Sequence, residues 1–276
     1  MKKLFLFLPI LFFSFYVTAQ DGNQLTRKDE RSAKKQERQE KIDNLIRQQE
    51  EGALVFNKQS VFGLRLNTDG WSLLYEKGFM KNVKVTNLFS LEFGEKKHPK
   101  EKRLSYQFST GNFIQIGTPY VYGKKNIFYQ LKPGFGQQRL VGGKANRNGV
   151  AVHWIYTGGI SVGLERPYYV RVFDDGTGQS ADIRYSKEDS LIFLSPGNIA
   201  QGTGLRYGWG QMKIVPGVHA RTALRFDYGR FNELVSAIEV GINVEAYGRK
   251  PEIMLLTNNN QVFFNSYVAI LLGKRK

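Results

Sequence analysis

Three histidines and no cysteine set the limits of what this chain can do chemically. Without thiols there is no disulfide, no cysteine nucleophile, no sulfur-ligated metal and no lipid-modified cysteine. Serine-based acyl transfer needs a histidine base within proton-transfer reach and a carboxylate to orient it. His153, Ser161 and Glu165 share one parity of a strand-like stretch. His153 and Ser161 are eight residues apart. At strand rise that is about 26 Å, too far for a proton to pass. His219 lies in another segment near Arg221 and reads as an interior hydrogen-bonding residue, while His98 sits in a lysine-rich stretch and reads as solvated. No two of them share a strand face at ligand spacing, so no metal centre is expected.

Two other stretches carry weaker signals. Asp174-Asp175-Gly176-Thr177-Gly178 with Asp182 is acidic and glycine-rich, but it lacks the ligand spacing and terminal glutamate of a calcium loop, so an ordinary turn is expected. Gly202, Gly204, Gly208 and Gly210 precede no Lys-Ser/Thr and no strand-to-helix switch, which argues against a phosphate loop. No catalytic residue, cofactor or metal is expected from these patterns, and the chain reads as a non-enzyme.

The segments that hold these residues differ sharply in kind. Lys2 and Lys3 precede a nearly unbroken apolar run from Leu4 to Val17, and Val17-Thr18-Ala19 supplies compact residues before Gln20. This pattern predicts a secretory signal peptide over residues 1–19, cut after Ala19. Residues 20–59 are expected to form a charged periplasmic tether or docking helix. Between Asp21 and Gly52 there are eight basic and eight acidic residues, with Glu30–Lys34, Glu37–Lys41 and Asp43–Arg47 in the favourable i,i+4 order. Export also changes the meaning of the +16 formal charge. An exported cation meets outer-membrane lipid, lipopolysaccharide and other acidic envelope polymers, so nucleic acid is not an expected partner.

From residue 60 to 276 the periodicity becomes two. Phe62, Leu64 and Leu66 alternate with polar or small residues, and Asn67-Thr68-Asp69-Gly70 is a tight hairpin signal before Trp71, Leu73 and Tyr75. Similar alternation recurs around Val83–Phe93, Ile127–Phe135, Val150–Leu164, Val218–Phe226, Ile238–Val244 and Val262–Gly273. These eight stretches, each near the ~9–11 residues of a membrane-crossing strand, predict an all-β fold. The expected form is an eight-stranded antiparallel up-and-down transmembrane barrel. Brief connections fall at one end, and two long ones, Gly94–Lys125 and Arg166–Met212, at the other. That asymmetry puts both termini in the periplasm and the long loops outside.

If the apolar face meets lipid, the opposite parity fills the interior. A charge network is then expected from Arg65, Glu76, Lys84, Glu92, Lys132, Glu165, Arg221, Arg225, Asp227, Glu239 and Glu245. An eight-stranded barrel is just wide enough to be filled by side chains, so these charges should pair and plug it. Lys96, Lys97, Lys100, Lys102 and Arg103 are candidate contacts for lipid phosphates. Tyr168, Tyr169 and Phe173 are candidate loop anchors for another protein.

The Ala19-Gln20 junction, the hairpin from Leu64 to Tyr75 and the closing strands from Val215 to Lys276 carry a resemblance. With Phe263-Phe264-Asn265-Ser266-Tyr267 leading into Leu272-Gly273-Lys274-Arg275-Lys276, the chain resembles the small eight-stranded outer-membrane β-barrels of Gram-negative bacteria, most like those of the Bacteroidota. It departs from many of them by ending on Lys274-Arg275-Lys276 and not on an aromatic residue. The resemblance implies an outer-membrane location and work by binding, as a structural or accessory subunit of an envelope protein complex of assembly or secretion type. Competing expectations are an outer-membrane lipid acyl hydrolase and a soluble exported barrel carrying an apolar ligand.

Overall fold

A computed structural model describes residues 32, 34–40, 56–105, 107–110, 113–144, 149–173, 179–229 and 233–276. Residues 34–40 are helical. The expected signal peptide, its cleavage site and the Asp174–Gly178 stretch lie outside the described residues.

Eight strands close into a barrel: β1 (Lys58–Asn67), β2 (Gly70–Asn82), β3 (Val85–Lys96), β4 (Asn126–Gly142), β5 (Ala151–Pro167), β6 (Lys213–Asp227), β7 (Leu234–Tyr247) and β8 (Val262–Arg275). Each pairs antiparallel with its sequence neighbours, and β1 pairs with β8 to close the ring. No edge strand is left among these eight, so none offers an open ladder to another chain. The register follows the alternation in the sequence, because a one-residue slip would turn every apolar side chain inward.

Several strands outrun the expected length. β4 and β5 have 17 residues each and β6 has 15. Their ends away from the barrel termini continue the ladder past the apolar belt, and Ile127 and Tyr129 of β4 are buried there beneath the loops. The belt itself is continuous around the wall: Phe62 is 67% exposed, Ile160 60%, Val218 57% and Leu272 60%.

At the end nearest the barrel's first and last residues the connections are short, over residues 83–84, 143–150 and 228–233. The opposite, far end carries 68–69, 97–125, 168–212 and 248–261. Both long connections have their own structure. Arg103–Leu104 pairs with Tyr120–Val121, and Gln107–Thr110 with Phe113–Ile116. Tyr169–Phe173 is the centre of a three-stranded sheet flanked by Ser180–Arg184 and Ile199–Gly202. A short helix, Ser190–Phe193, buries Phe193 with Tyr120, Tyr168, Val170, Val172 and Ile199. These apolar side chains explain why the long connections are built and not merely solvated.

Candidate functional site, the barrel interior and its far rim

Strand parity sends one side chain in two inward, and the inward set here is heavily charged. Near the short-turn end, Arg275 of β8 ion-pairs with Asp227 of β6. Gln59 donates to Gln138 across the interior at 3.0 Å. An apolar layer around Val61, Leu74, Leu88, Ile155, Ala237 and Leu271 also packs within the barrel.

The central layer is a cluster of crossing pairs. Glu76 of β2 accepts from Arg221 and Arg225 of β6. Arg225 donates to Glu239 at 2.9 Å through Nε and at 2.6 Å through Nη2. Tyr267 donates its hydroxyl to the same carboxylate at 2.7 Å. Arg65 pairs with Glu92 and lies 4.0 Å over the Tyr267 ring. Arg221 also donates to Thr157 at 2.8 Å.

Toward the far end, Lys132 bridges Glu92 at 2.9 Å and Glu245 at 2.8 Å. Lys96 stands 3.1 Å from Glu245 and also pairs with Asp69 of the β1–β2 hairpin. Above them Phe128, Val215, Tyr247, Ile253 and Met254 form an apolar cap with Phe263 against it. The ion pairs join six cations, Arg65, Lys96, Lys132, Arg221, Arg225 and Arg275, to six carboxylates, Asp69, Glu76, Glu92, Asp227, Glu239 and Glu245. A balanced, hydrogen-bonded set is the form in which charge can be buried without a large desolvation cost.

Placement of individual residues departs from the sequence expectation in five instances. Lys84 is not inside: it lies in the β2–β3 turn and is exposed, because β2 ends before it and the alternation does not reach it. Lys96 is not on the loop surface. It is fully buried in the interior, since β3 keeps its parity from Glu92 through Gly94 to Lys96. Glu165 is buried at the far rim, where it accepts from Arg249 at 3.0 and 2.6 Å and from the Glu252 backbone N–H at 2.7 Å. It ties the 248–261 loop to the wall and joins none of the twelve charges above.

His98 is not solvated: it is buried, and its Nδ1 accepts the Lys100 N–H at 3.2 Å. Tyr168 is the fifth correction. It is buried in the loop cluster and its hydroxyl accepts the Val121 N–H at 3.1 Å, so it has no free face for a partner. Tyr169 is partly covered and packs against Tyr207, whereas Phe173 is 47% exposed. Leu191 at 83% and Leu205 at 66% are the most exposed apolar side chains of this connection. Lys100, Lys102 and Arg103 are exposed and Lys97 partly so.

One possible catalytic pair does come together, though not the one strand spacing considered. Ser161 Oγ lies 3.2 Å from His219 Nδ1, on the adjacent strand. The same Nδ1 is 3.1 Å from the Ile160 carbonyl, which accepts if that nitrogen carries the proton. Such a tautomer leaves Nδ1 no lone pair with which to take the serine proton. The ring is accommodated by glycines: a Cβ on Gly134 would stand 3.0 Å from His219 Nε2. No cluster of three His, Asp or Glu side chains able to hold a metal ion occurs among the described residues.

No known protein family profile matches this chain, and no curated protein does. Among solved structures it is similar to Neisserial surface protein A, at 7% identity over 80% of this chain and 97% of that one, with a TM-score of 0.38. It is similar also to Ail, the attachment invasion locus protein of Yersinia pestis, at 8% identity over 80% of this chain and 100% of that one. The TM-score is 0.34 for Ail in complex with the heparin analogue sucrose octasulfate and 0.35 for Ail alone.

Proposed function

We propose that the protein is an outer-membrane β-barrel, with both barrel termini in the periplasm, that acts by binding at its outer end as a structural or accessory subunit of an envelope complex. The single observation that carries this reading is the inversion of its two faces. Apolar side chains circle the outside in a continuous belt, while the charged residues of the same strands are buried and paired within. A water-soluble carrier barrel would have the opposite arrangement, with its apolar face lining a ligand cavity.

Side chains crossing the lumen leave an eight-stranded barrel little room to conduct, which moves its work to the two ends. At the far end, the sheet at residues 169–202 presents Phe173, and the short helix presents Leu191 and Ile192 while burying Phe193. That exposed apolar set is the surface we assign to a partner protein. The charged segment at residues 20–59 would add a weaker, salt-sensitive contact from the periplasmic side.

Cell fractionation and gel migration test the reading. The protein should travel with outer membranes and migrate faster unheated than boiled on a denaturing gel. Recovery in the soluble periplasmic fraction would end it.

A further inference from the structure

Near the far end of β5, Arg166 pairs in register with Ile127 of β4 and points to the outward side of the wall. The connection over residues 168–212 covers it completely, to 0% exposure. Nη1 donates to the Leu205 carbonyl at 3.2 Å and Nη2 to that of Gly204 at 3.3 Å. The guanidinium carbon stands 4.6 Å from the Trp209 ring centre and 5.5 Å from that of Tyr129. Its Nε has no hydrogen-bond partner, and no carboxylate among the described residues lies within 4 Å of the guanidinium. Carbonyls and ring faces orient this cation without neutralising it. In a chain whose other fully buried arginines, Arg65 and Arg225, are paired to carboxylates, it is the exception.

Arg166 lines a pocket of about 300 Å³ between the two long connections. The same wall carries Lys97, Arg103 and Lys124 against Glu95 and Glu101. Lys124 is taken by Glu101 at 2.8 Å, so Lys97, Arg103 and Arg166 face a single further carboxylate. The pocket therefore has an excess of positive charge around a buried, incompletely satisfied guanidinium, which favours an anion. Its surroundings are those of a bilayer interface. Leu205 on its wall, Trp209 stacked on Tyr129, and Ile214, which pairs with Leu164 two residues before Arg166, are all exposed apolar groups.

We propose that this pocket binds the phosphate of an outer-leaflet glycolipid, with the acyl chains lying on the adjoining apolar wall. The inference rests on the outer-membrane reading above. Arg103 and Lys97, both open to the pocket, supply charge-assisted donors to the phosphate oxygens, and the sealed Arg166 adds its uncompensated positive charge from the wall behind them.

The test uses the full-length protein folded in neutral detergent micelles. Three probes are titrated separately: a bisphosphorylated lipid A glycolipid, the same glycolipid after phosphatase treatment, and inorganic phosphate. The phosphorylated glycolipid should bind at least tenfold tighter than either other probe. Arg166→Gln should weaken it by about tenfold, the effect of removing one uncompensated positive charge from the pocket wall. Because Arg166 also holds the loop, the double variant Lys97→Gln/Arg103→Gln, at positions with no ion pair among the described residues, should weaken it as well while the barrel stays heat-modifiable. Equal binding of both glycolipids, or unchanged affinity in both variants, would overturn the proposal. Inorganic phosphate binding as tightly as the phosphorylated glycolipid would overturn the lipid source. Flotation with vesicles is read apart: failure to float removes the membrane reading, whereas phosphate selectivity in micelles reports on the pocket alone.

Discussion

Lys96 of β3 reaches across the barrel to Glu245 of β7, on the diametrically opposite wall, with 3.1 Å between Nζ and Oε2. Arg225 of β6 does the same toward Glu76 of β2, the strand opposite to it. Such pairs join strands that share no backbone hydrogen bond, so they brace the ring across its diameter.

The brace predicts the cost of opening it. Glu239 accepts from Arg221, Arg225 and Tyr267, all in the sealed central layer. Glu239→Ala should lower the folded stability in detergent by about 3–5 kcal/mol, the penalty for leaving buried cations without their partner. Urea titration of the gel-shifted form measures it. An unchanged midpoint would mean that water reaches this layer.

Facing is tested by charge on the outside. Ile160, 60% exposed near the middle of β5, should tolerate arginine poorly if it meets hydrocarbon. Ile160→Arg should cost about 2–4 kcal/mol of insertion stability, while Val83→Arg in the exposed β2–β3 turn should cost about 0–1. Equal tolerance at both positions would point to water around the wall.

The loop sheet should respond to acid. Two hydrogen bonds from Arg171, at 2.7 and 2.9 Å, hold the Asp182 carboxyl below its ordinary range. A depressed carboxylate contributes stability that is present above its unfolded pKa and lost as pH falls through the folded one. Protease cleavage between residues 173 and 180 should therefore accelerate only below the usual aspartate range. In Arg171→Ala, where the depression of the Asp182 pKa is largely removed, cleavage should already be faster at neutral pH and the acid step should be lost or much reduced. Identical pH profiles for the two proteins would show that the pair does not hold the sheet.

Partner contacts should divide unequally between the two ends. Under the proposed subunit role, replacing Phe173, Leu191 and Ile192 with serine should release an intact barrel from the complex. Deleting residues 21–50 should leave it co-purifying, though less well at high salt. The reverse ranking in co-purification would put the interface on the periplasmic side.

Which residues face in and which face out could be read from the chain alone, because a strand alternates sides every residue and a wrong register would expose a whole charged face. The eight strands, the Thr68-Asp69 hairpin and the position of both long connections follow from that period and from turn chemistry. Strand ends were less legible. Lys96 reads as loop in a run of lysines, yet the ladder carries it inside, and Lys84 reads as strand although the turn has already begun. Partnership was not legible at all. Closure of the ring brings Glu76 to Arg225, 149 residues apart, and sets Ser161 against His219, 58 apart. The fold of the loops likewise decides that Tyr168 is buried while Phe173 is exposed, and that Arg166 is sealed without a counter-charge among the described residues. Periodicity is a local property of the backbone and is written in consecutive residues. Charge pairing across a lumen depends on curvature and strand stagger, which exist only once all eight strands have closed.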